Sequence, residues 1–187
     1  MQSYLNPVAL SYGVIIIIIK IICFAGNTLV KVLKDDKIVE KEIKDVKKDE
    51  MVLVHNGIEK RYAKVLDNKT KEGEFEFYIV KAKDLKDPSK TKEVTITPEH
   101  IMITFDEKKE IKLMAAKDLK GDEIIDTEEG FHQIYEINKT KLNNKYMLSV
   151  KGGCVFANGI FISTICSGDN ARDLKLTLEE WKKLQSE

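Results

Sequence analysis

The sequence lacks an excess of charge of either sign. Lys and Arg together number 31, and Asp and Glu also number 31, so the formal net charge is zero. Proteins that bind nucleic acids usually concentrate positive charge on one face, and this composition gives no indication of such a face. Nucleic acid is therefore not an expected partner.

Cysteine and proline are also scarce. The 187 residues include three cysteines, Cys23, Cys154 and Cys166. An odd and small number of cysteines does not suit a disulfide scaffold, and it is typical of proteins in a reducing compartment. With only three prolines and no sustained helical period before the C-terminus, the sequence favours β structure. We expect neither a cofactor nor a metal ion.

The first 22 residues differ from the rest of the chain. Residues 8–26 contain one charge, Lys20, and include the five successive isoleucines Ile15–Ile19. A segment of this length and composition crosses a bilayer whose hydrocarbon core is about 30 Å thick. The sequence therefore predicts that residues 1–22 form an apolar membrane helix, with lipid contacted through residues 8–26.

The distribution of lysines predicts how this segment is oriented. Residues 1–13 contain no lysine or arginine, whereas Lys20, Lys31, Lys34 and Lys37 lie within or after the apolar run. By the positive-inside rule, the domain that follows a single membrane pass is expected on the cytosolic or mitochondrial matrix side. A secretory signal peptide is less expected, because such peptides begin with positive charge. A buried N-terminal strand is the other alternative, since isoleucine favours strands.

Most of the remaining sequence alternates apolar and polar residues with the period of strands. Segments of this kind are NTLVKVL, FEFYIV, EVTITP, HIMITF and VFANGIFIST. The polar stretch from Lys83 to Glu93 predicts a solvated hairpin loop. Residues 176–187 have acids early, lysines late and apolar residues at helical spacing, which predicts a short C-terminal helix in a tail of residues 169–187.

An internal repeat relates two parts of the chain. KDVKKDEMV begins at position 44 and KDLKGDEII begins 73 positions later, with five of nine residues identical. Without a gap, the same offset aligns Thr28–Val52 with Ile101–Ile125. Two related β units predict a domain with pseudo-two-fold symmetry, in which equivalent segments meet near the axis.

The repeat also relates two segments that carry reactive side chains. At the offset of 73, Asn27 falls on His100, so the segment after Cys23 is equivalent to the segment TPEH, which runs from Thr97 to His100. A thiol, an imidazole and a hydroxyl group that meet at the axis supply a nucleophile, a proton donor and a polarising group.

Three blocks of the sequence resemble Hint domains, the module shared by hedgehog autoprocessing domains and inteins. CFAGNTLVKV, which begins at Cys23, is similar to their opening block, and TPEH is similar to their Thr-x-x-His block. GCVFANGIFISTIC, residues 153–166, resembles the closing strand pair of the hedgehog type. The resemblance implies an all-β, pseudo-two-fold Hint fold over residues 23–168, preceded by one apolar helix and followed by a short helix.

The resemblance also implies a chemistry. The Cys23 thiol attacks the carbonyl carbon of Ile22, and the peptide bond between these residues becomes a thioester. His100 protonates the departing nitrogen, and Thr97 holds or polarises the scissile peptide. Asp67 is a weak candidate for the acid that activates the second nucleophile, which is water, a thiol or a sterol hydroxyl; an exposed turn acid is the competing interpretation.

Some residues depart from the family pattern. Inteins end in His-Asn before Cys, Ser or Thr, whereas the one His-Asn pair in this chain is His55-Asn56, so full splicing is not expected. Thr164 stands where hedgehog-type domains often have cysteine. Ile22 stands where hedgehogs have glycine, and its branched Cβ crowds the carbonyl that must be attacked.

Three functions remain open from the sequence. The first is a membrane-anchored autoprocessing domain that cuts the Ile22–Cys23 bond, which is self-cleavage rather than turnover. The second is a catalytically silent Hint fold retained as an accessory subunit of a membrane protein complex, for example a mitochondrial one. The third is a generic β interaction domain. Intact-mass measurement separates the first from the second.

Overall fold

The computed structural model describes residues 22–55, 60–106, 110–151 and 154–164. The predicted membrane segment, apart from its last residues, and the predicted C-terminal helix lie outside these ranges, as does Cys166. No helix among the described residues is long enough and apolar enough to span a bilayer.

Eleven strands of the described chain form one antiparallel sheet, which confirms the all-β fold class. The strands are β1 (Leu29–Lys34), β2 (Lys37–Glu42), β3 (Met51–His55), β4 (Lys60–Asp84), β5 (Thr91–Ile96), β6 (Ile101–Phe105), β7 (Ile111–Ala115), β8 (Ile124–Thr127), β9 (Gly130–Val150), β10 (Cys154–Ala157) and β11 (Ile160–Ser163). Two short 3₁₀ helices span Ile43–Asp45 and Ala116–Asp118. The strand order is β10-β11-β6-β8-β9-β4-β3-β1-β2, with β5 beside β4 and β7 beside β6.

The long strands β4 and β9 are the centre of the sheet. They have 25 and 21 residues and pair along most of their length, with three register irregularities. The predicted polar loop connects β4 to β5, and its ends are joined by the Asp84 N–H, which donates to Lys90 O at 2.9 Å. The hairpin of β10 and β11 turns at Asn158 and Gly159, whose positive φ angles of 49° and 75° suit a two-residue hairpin turn.

The predicted repeat is visible in the order of elements. The series β1, β2, 3₁₀ helix and β3 recurs as β6, β7, 3₁₀ helix and β8, and the two 3₁₀ helices begin 73 positions apart. The same hydrogen bond closes both units: the Ile43 N–H donates to Thr28 O at 2.7 Å, and the Ala116 N–H donates to His100 O at 2.8 Å. The chain therefore contains two copies of one β unit.

The copies differ by one residue, so the alignment without a gap is wrong for the first strand of each unit. Two residues separate the paired Lys34 and Lys37 in the first hairpin. In the second hairpin three residues separate Asp106 from Glu110, whose carbonyl oxygen accepts the Asp106 N–H. The offset is therefore 72 before this hairpin and 73 after it, and Thr28 rather than Asn27 corresponds to His100.

The pseudo-two-fold axis passes between Phe24 and Ile96. These two residues are 72 positions apart and form an antiparallel bridge. The flanking hydrogen bonds run from the Ala25 N–H to Thr95 O and from the Thr97 N–H to Cys23 O, each at 3.0 Å. Each of these bonds is carried onto the other by the offset of 72, which is the relation that a two-fold axis imposes.

The core holds the segment at the axis in place. Phe24 is fully buried in the main apolar cluster, together with Ile96, Met102 and Leu148. Burying a phenylalanine contributes about 1.5–3 kcal/mol relative to leaving it exposed. The buried Phe24 side chain therefore fixes the backbone next to it, and this determines where the Cys23 thiol lies.

Candidate active site

Cys23 lies at the start of a short extended segment between two strands. The Phe24 N–H donates to Tyr146 O of β9 at 2.9 Å, and the Tyr146 N–H donates to Phe24 O at 3.1 Å. On the other side, the segment is bonded to Thr95 and Thr97 of the β5 end. Cys23 itself is 1% exposed. Backbone pairing on both sides therefore fixes the Cys23 backbone.

Gly26→Ala is expected to destabilise the domain by about 1–3 kcal/mol through overpacking. A Cβ atom at position 26 would lie 2.7 Å from Cε2 of Tyr146, whose backbone is bonded to Phe24. Urea unfolding measures the loss. The penalty should disappear in a Tyr146→Ala background, and an equal penalty in both backgrounds would contradict the steric explanation.

The TPEH segment is a tight turn at the end of β5. The His100 N–H donates to Thr97 O at 2.9 Å and closes the turn. The second 3₁₀ helix holds it from the other side, since the Ala116 N–H donates to His100 O at 2.8 Å and the Lys117 N–H donates to Pro98 O at 3.0 Å. Backbone hydrogen bonds therefore hold Thr97 and His100 in fixed positions.

The structure brings Cys23, Thr97 and His100 together. The Cys23 N–H, which belongs to the Ile22–Cys23 peptide, donates to Thr97 Oγ1 at 3.1 Å. Thr97 Oγ1 is also 3.4 Å from Cys23 O, and His100 Nδ1 is 3.1 Å from the same oxygen. Covalent geometry then limits the distance from His100 Nδ1 to the Cys23 nitrogen to about 7 Å.

His100 is held between two carbonyl oxygens in a fully buried position. Its Nδ1 faces Cys23 O, and its Nε2 lies 2.9 Å from Ser163 O. Its ring also packs against Phe24, with ring centroids 4.4 Å apart. Burial lowers the pKa of His100 to about 4, although both carbonyl contacts act to raise it. The neutral ring has one N–H, so at neutral pH only one of the two carbonyls receives a proton.

Asp67 contacts other residues than these three. It lies on β4 at a register irregularity opposite Ser149, and its side chain is 47% exposed. Its Oδ1 accepts the Asn68 N–H at 2.9 Å, and its Oδ2 is 3.3 Å from Lys69 Nζ. These are the hydrogen bonds and ion pairs of Asp67 among the described residues. They are typical of an exposed acid, although Asp67 lies on a strand and not in a turn. A role in activating the second nucleophile stays a prediction.

The two other histidines lie apart from this site. His55 packs against Phe156 and Phe161, and burial lowers its pKa. The nearby Asp126 has its pKa raised by burial. His132 is buried with Nδ1 3.2 Å from Thr127 Oγ1. Within the described ranges, no three His, Cys, Asp or Glu side chains are arranged to hold a metal ion.

Ser163, the last residue of β11, contacts the site and was missed in the sequence. Ser163 contributes its carbonyl oxygen to His100, and a backbone group leaves no signal in a residue type. Thr164, the next residue, is buried beside it, and its Oγ1 has no hydrogen-bond partner among the described residues.

Neither a family model nor a curated protein matches the sequence. Solved structures do match the fold. A DnaB intein from Synechocystis sp. PCC 6803 is 21% identical with a TM-score of 0.59, and the match covers 76% of this chain and 97% of that one. The gp41-1 intein is 19% identical with a TM-score of 0.57 and coverages of 76% and 98%. A bacterial intein-like domain from Clostridium thermocellum is 15% identical with a TM-score of 0.58 and coverages of 75% and 97%.

These matches decide the fold. They extend over nearly the whole length of the inteins, and they remove the interpretation as an unrelated β domain with a chance resemblance. The hedgehog-like subtype stays a prediction, because the structures named above are inteins and an intein-like domain. The described chain therefore has the Hint fold, which is the fold of inteins.

Proposed function

We propose that this chain is an autoprocessing domain that cuts the Ile22–Cys23 peptide bond through an N–S acyl shift and a thioester, without full splicing. One observation carries the proposal. The nitrogen of that peptide bond donates its hydrogen to Thr97 Oγ1 at 3.1 Å, and the buried residue on its C-terminal side carries the thiol. A hydroxyl at the leaving nitrogen and a thiol beside the attacked carbonyl are what the first step needs.

The step moves one acyl group and one proton. The Cys23 sulfur bonds to the carbonyl carbon of Ile22, the bond from that carbon to the Cys23 nitrogen breaks, and the nitrogen takes up the proton that the thiol gives away. His100 is neutral near pH 7 because burial lowers its pKa to about 4. Its proposed role is to deliver the proton to the departing nitrogen. Thr97 holds the nitrogen during the transfer.

Burial favours this intramolecular route. The nucleophile and the electrophile are on neighbouring residues, so no translational entropy is lost in bringing them together. The site residues Cys23, Thr97 and His100 are all buried, and water therefore does not compete with the thiol in the first step. The thioester forms first, and a second nucleophile is needed to release the acyl group.

The released group, residues 1–22, is proposed to be the membrane anchor. The support is the apolar run of residues 8–26 with its single charge and the lysines that follow it. Cleavage would then detach a domain on the cytosolic or matrix side from lipid. Asp67 is retained in this proposal as the weak candidate for activating water, a thiol or a sterol hydroxyl.

A second function is favoured by the position of His100. Its Nδ1 faces the carbonyl oxygen of Cys23, which belongs to the next peptide, and not the nitrogen of the scissile one. Ile22 is also branched at Cβ and buried. A Hint fold with these two features and no cleavage would act as an accessory subunit of a membrane protein complex, with its N-terminal segment packed among the other chains.

Intact mass spectrometry of the purified full chain in mild detergent separates the two functions. Incubation with dithiothreitol is expected to remove about 2.5 kDa, because 22 of the 187 residues of a 21.4 kDa chain leave as the acyl group. The same chain with Cys23→Ala is the matched control and should keep its full mass, since no thioester forms. A wild-type chain that stays whole while folded would favour the silent subunit.

A further inference from the structure

The two β units of the domain share one glutamate. Glu50 and Glu123 are 73 positions apart, and each stands directly before the last strand of its unit, β3 or β8. Both carboxylates hold the loop that precedes them. Glu50 Oε2 accepts the Lys47 N–H, and Glu123 Oε1 accepts the Lys120 N–H, each at 2.8 Å. The two glutamates therefore occupy equivalent positions in the two copies.

In the first unit a lysine binds this glutamate. Lys41 Nζ lies 2.7 Å from Glu50 Oε1 and 2.9 Å from Glu50 Oε2, so both carboxylate oxygens contact one ammonium group. Burial acts to raise the pKa of the Glu50 carboxyl, but the hydrogen bonds from Lys41 and from the Lys47 N–H outweigh burial and lower that pKa. The first unit thus supplies its own cation to the glutamate.

In the second unit a methionine takes the place of this lysine. Lys41 and Met114 hold equivalent positions in the second strand of their hairpins, 73 positions apart. The Glu123 oxygens accept three backbone N–H groups of the preceding loop, and Glu123 forms no ion pair with a described residue. Because a carboxylate has about four acceptor sites, room for a cation remains.

A cavity of about 630 Å³ lies at this place. Glu123 and Met114 line it, together with the apolar side chains of Phe105 and Ile124. Acidic residues outnumber lysines along its wall by four to two, so its charge favours a cation. The cavity therefore fits an occupant that carries an ammonium group next to a large apolar side chain.

The chain beyond β11 is near enough to supply this occupant. Ile162 of β11 pairs with Met102 of β6, which in turn pairs with Met114 of β7. At about 4.8 Å between neighbouring strands, Ile162 lies about 10 Å from Met114. The described chain ends at Thr164. Residues 165–180 span about 50 Å when extended, which is more than enough to bring Trp181 to the cavity.

We propose that residues 181–183, with the sequence Trp-Lys-Lys, fill this cavity and place a lysine ammonium on Glu123. The contact repeats the one that a lysine makes with the equivalent glutamate of the first unit. The tryptophan ring packs on Met114, whose sulfur makes favourable contacts with aromatic rings. An ion pair of this kind is weak between separate molecules, but a tether within one chain raises the effective concentration of the lysine.

Docking of this segment has a consequence for the candidate active site. The segment follows β11, whose last residue, Ser163, places its carbonyl oxygen 2.9 Å from His100 Nε2. A docked segment would hold that end of β11 against the sheet. The docking itself does not depend on whether the chain cuts itself.

Zero-length cross-linking with a carbodiimide tests the contact in the purified full chain in mild detergent. The reagent joins a carboxylate to an amine that touches it. Digestion and mass spectrometry should therefore recover Glu123 joined to Lys182 or Lys183. Lys41 joined to Glu50 is the internal positive control, because their side-chain atoms are 2.7 Å apart.

Met114→Lys gives the second unit its own cation and is expected to displace the segment. The cross-link from Glu123 to residues 182 and 183 should disappear, and one from Glu123 to position 114 should replace it. Met114→Leu keeps an apolar side chain of similar volume and is the matched control, which should behave as wild type. Trp181 is the one tryptophan of the chain, so its emission should shift to longer wavelength in Met114→Lys alone.

Four results would overturn the inference. A folded wild-type chain with the Glu50 cross-link but none on Glu123 would leave the cavity to another molecule. A Glu123 cross-link to a lysine outside residues 181–183 would assign the cavity to a different segment. An unchanged cross-link in Met114→Lys would place the segment outside the cavity. A cross-link between two chains that fades on dilution would assign the occupant to a second copy. None of these results bears on the proposed function, because intact mass measures cleavage separately.

Discussion

Ile22→Gly is expected to accelerate thiol-dependent cleavage by tenfold or more. The attacked carbon is the carbonyl carbon of residue 22, and a side chain branched at Cβ stands directly beside the path of the sulfur. Each 1.4 kcal/mol of barrier that is removed appears as about a tenfold faster rate. The measurement is the fraction of chain that has lost the N-terminal fragment after timed incubation with dithiothreitol.

Two further variants separate crowding from loss of packing. Ile22 is buried, and deleting a large buried side chain commonly costs about 2–5 kcal/mol of stability. Ile22→Leu keeps the volume but moves the branch away from Cβ, so it should cleave at a rate between those of isoleucine and glycine. Ile22→Val keeps the branch and should stay slow. Equal rates for all four residues in folded chains would show that crowding at Cβ does not limit the reaction.

The free energy of unfolding is expected to fall by about 3 kcal/mol as the pH is lowered from 6.5 to 4, because His100 is buried in its neutral form. Burial lowers the pKa of His100 in the folded state from 6.5 to about 4, so the unfolded chain binds a proton more readily in this window. The free energy of unfolding therefore falls as the pH falls, by up to about 1.4 kcal/mol per pH unit. The contribution is complete above pH 6.5, and no further loss from this residue occurs below pH 4.

His100→Gln removes the titration and serves as the comparison. Urea unfolding at several pH values gives the free energy of unfolding of each variant, and the slope against pH is compared rather than the absolute value. Other ionisable groups, including Asp126 with its raised pKa, are common to both chains and cancel in the difference. Parallel curves for the two variants would contradict a buried neutral His100.

The sequence predicted those parts of the fold that side-chain patterns encode. Alternation identified the strands, and the repeated segments KDVKKDEMV and KDLKGDEII predicted the two related β units at the offset of 73 that separates their 3₁₀ helices. The sequence did not reveal that the two hairpins differ in length by one residue, because apolar strands of similar composition align almost equally well at offsets of 72 and 73. Backbone pairing distinguishes the two offsets, through the hydrogen bonds of Thr28 and His100 and through the lengths of the two hairpins.

The site was predictable to the extent that it depends on reactive side chains. Cys23, Thr97 and His100 were predicted from the internal repeat and from the resemblance of CFAGNTLVKV and TPEH to Hint-domain blocks, and the structure brings the three residues together. Ser163 was not identified, because it acts through a carbonyl oxygen that every residue has. Asp67 was a weak candidate because it has a carboxylate. The sequence around a residue on a long strand does not show whether its side chain lies near residues that are distant in the chain.

The Phe24–Ile96 bridge has a consequence for the timing of the proposed reaction during synthesis. The groups that surround the first residue of the domain come from late in the chain: the contacts to Thr97 and His100 span 74 and 77 positions, and the contact from His100 to Ser163 spans a further 63. A ribosome has made the thiol long before it makes these partners. In the proposed reaction, an N-terminal segment attached to Cys23 would therefore stay attached until residue 163 has left the exit tunnel, and the pseudo-symmetric fold would act as a check that these parts of the domain have been built.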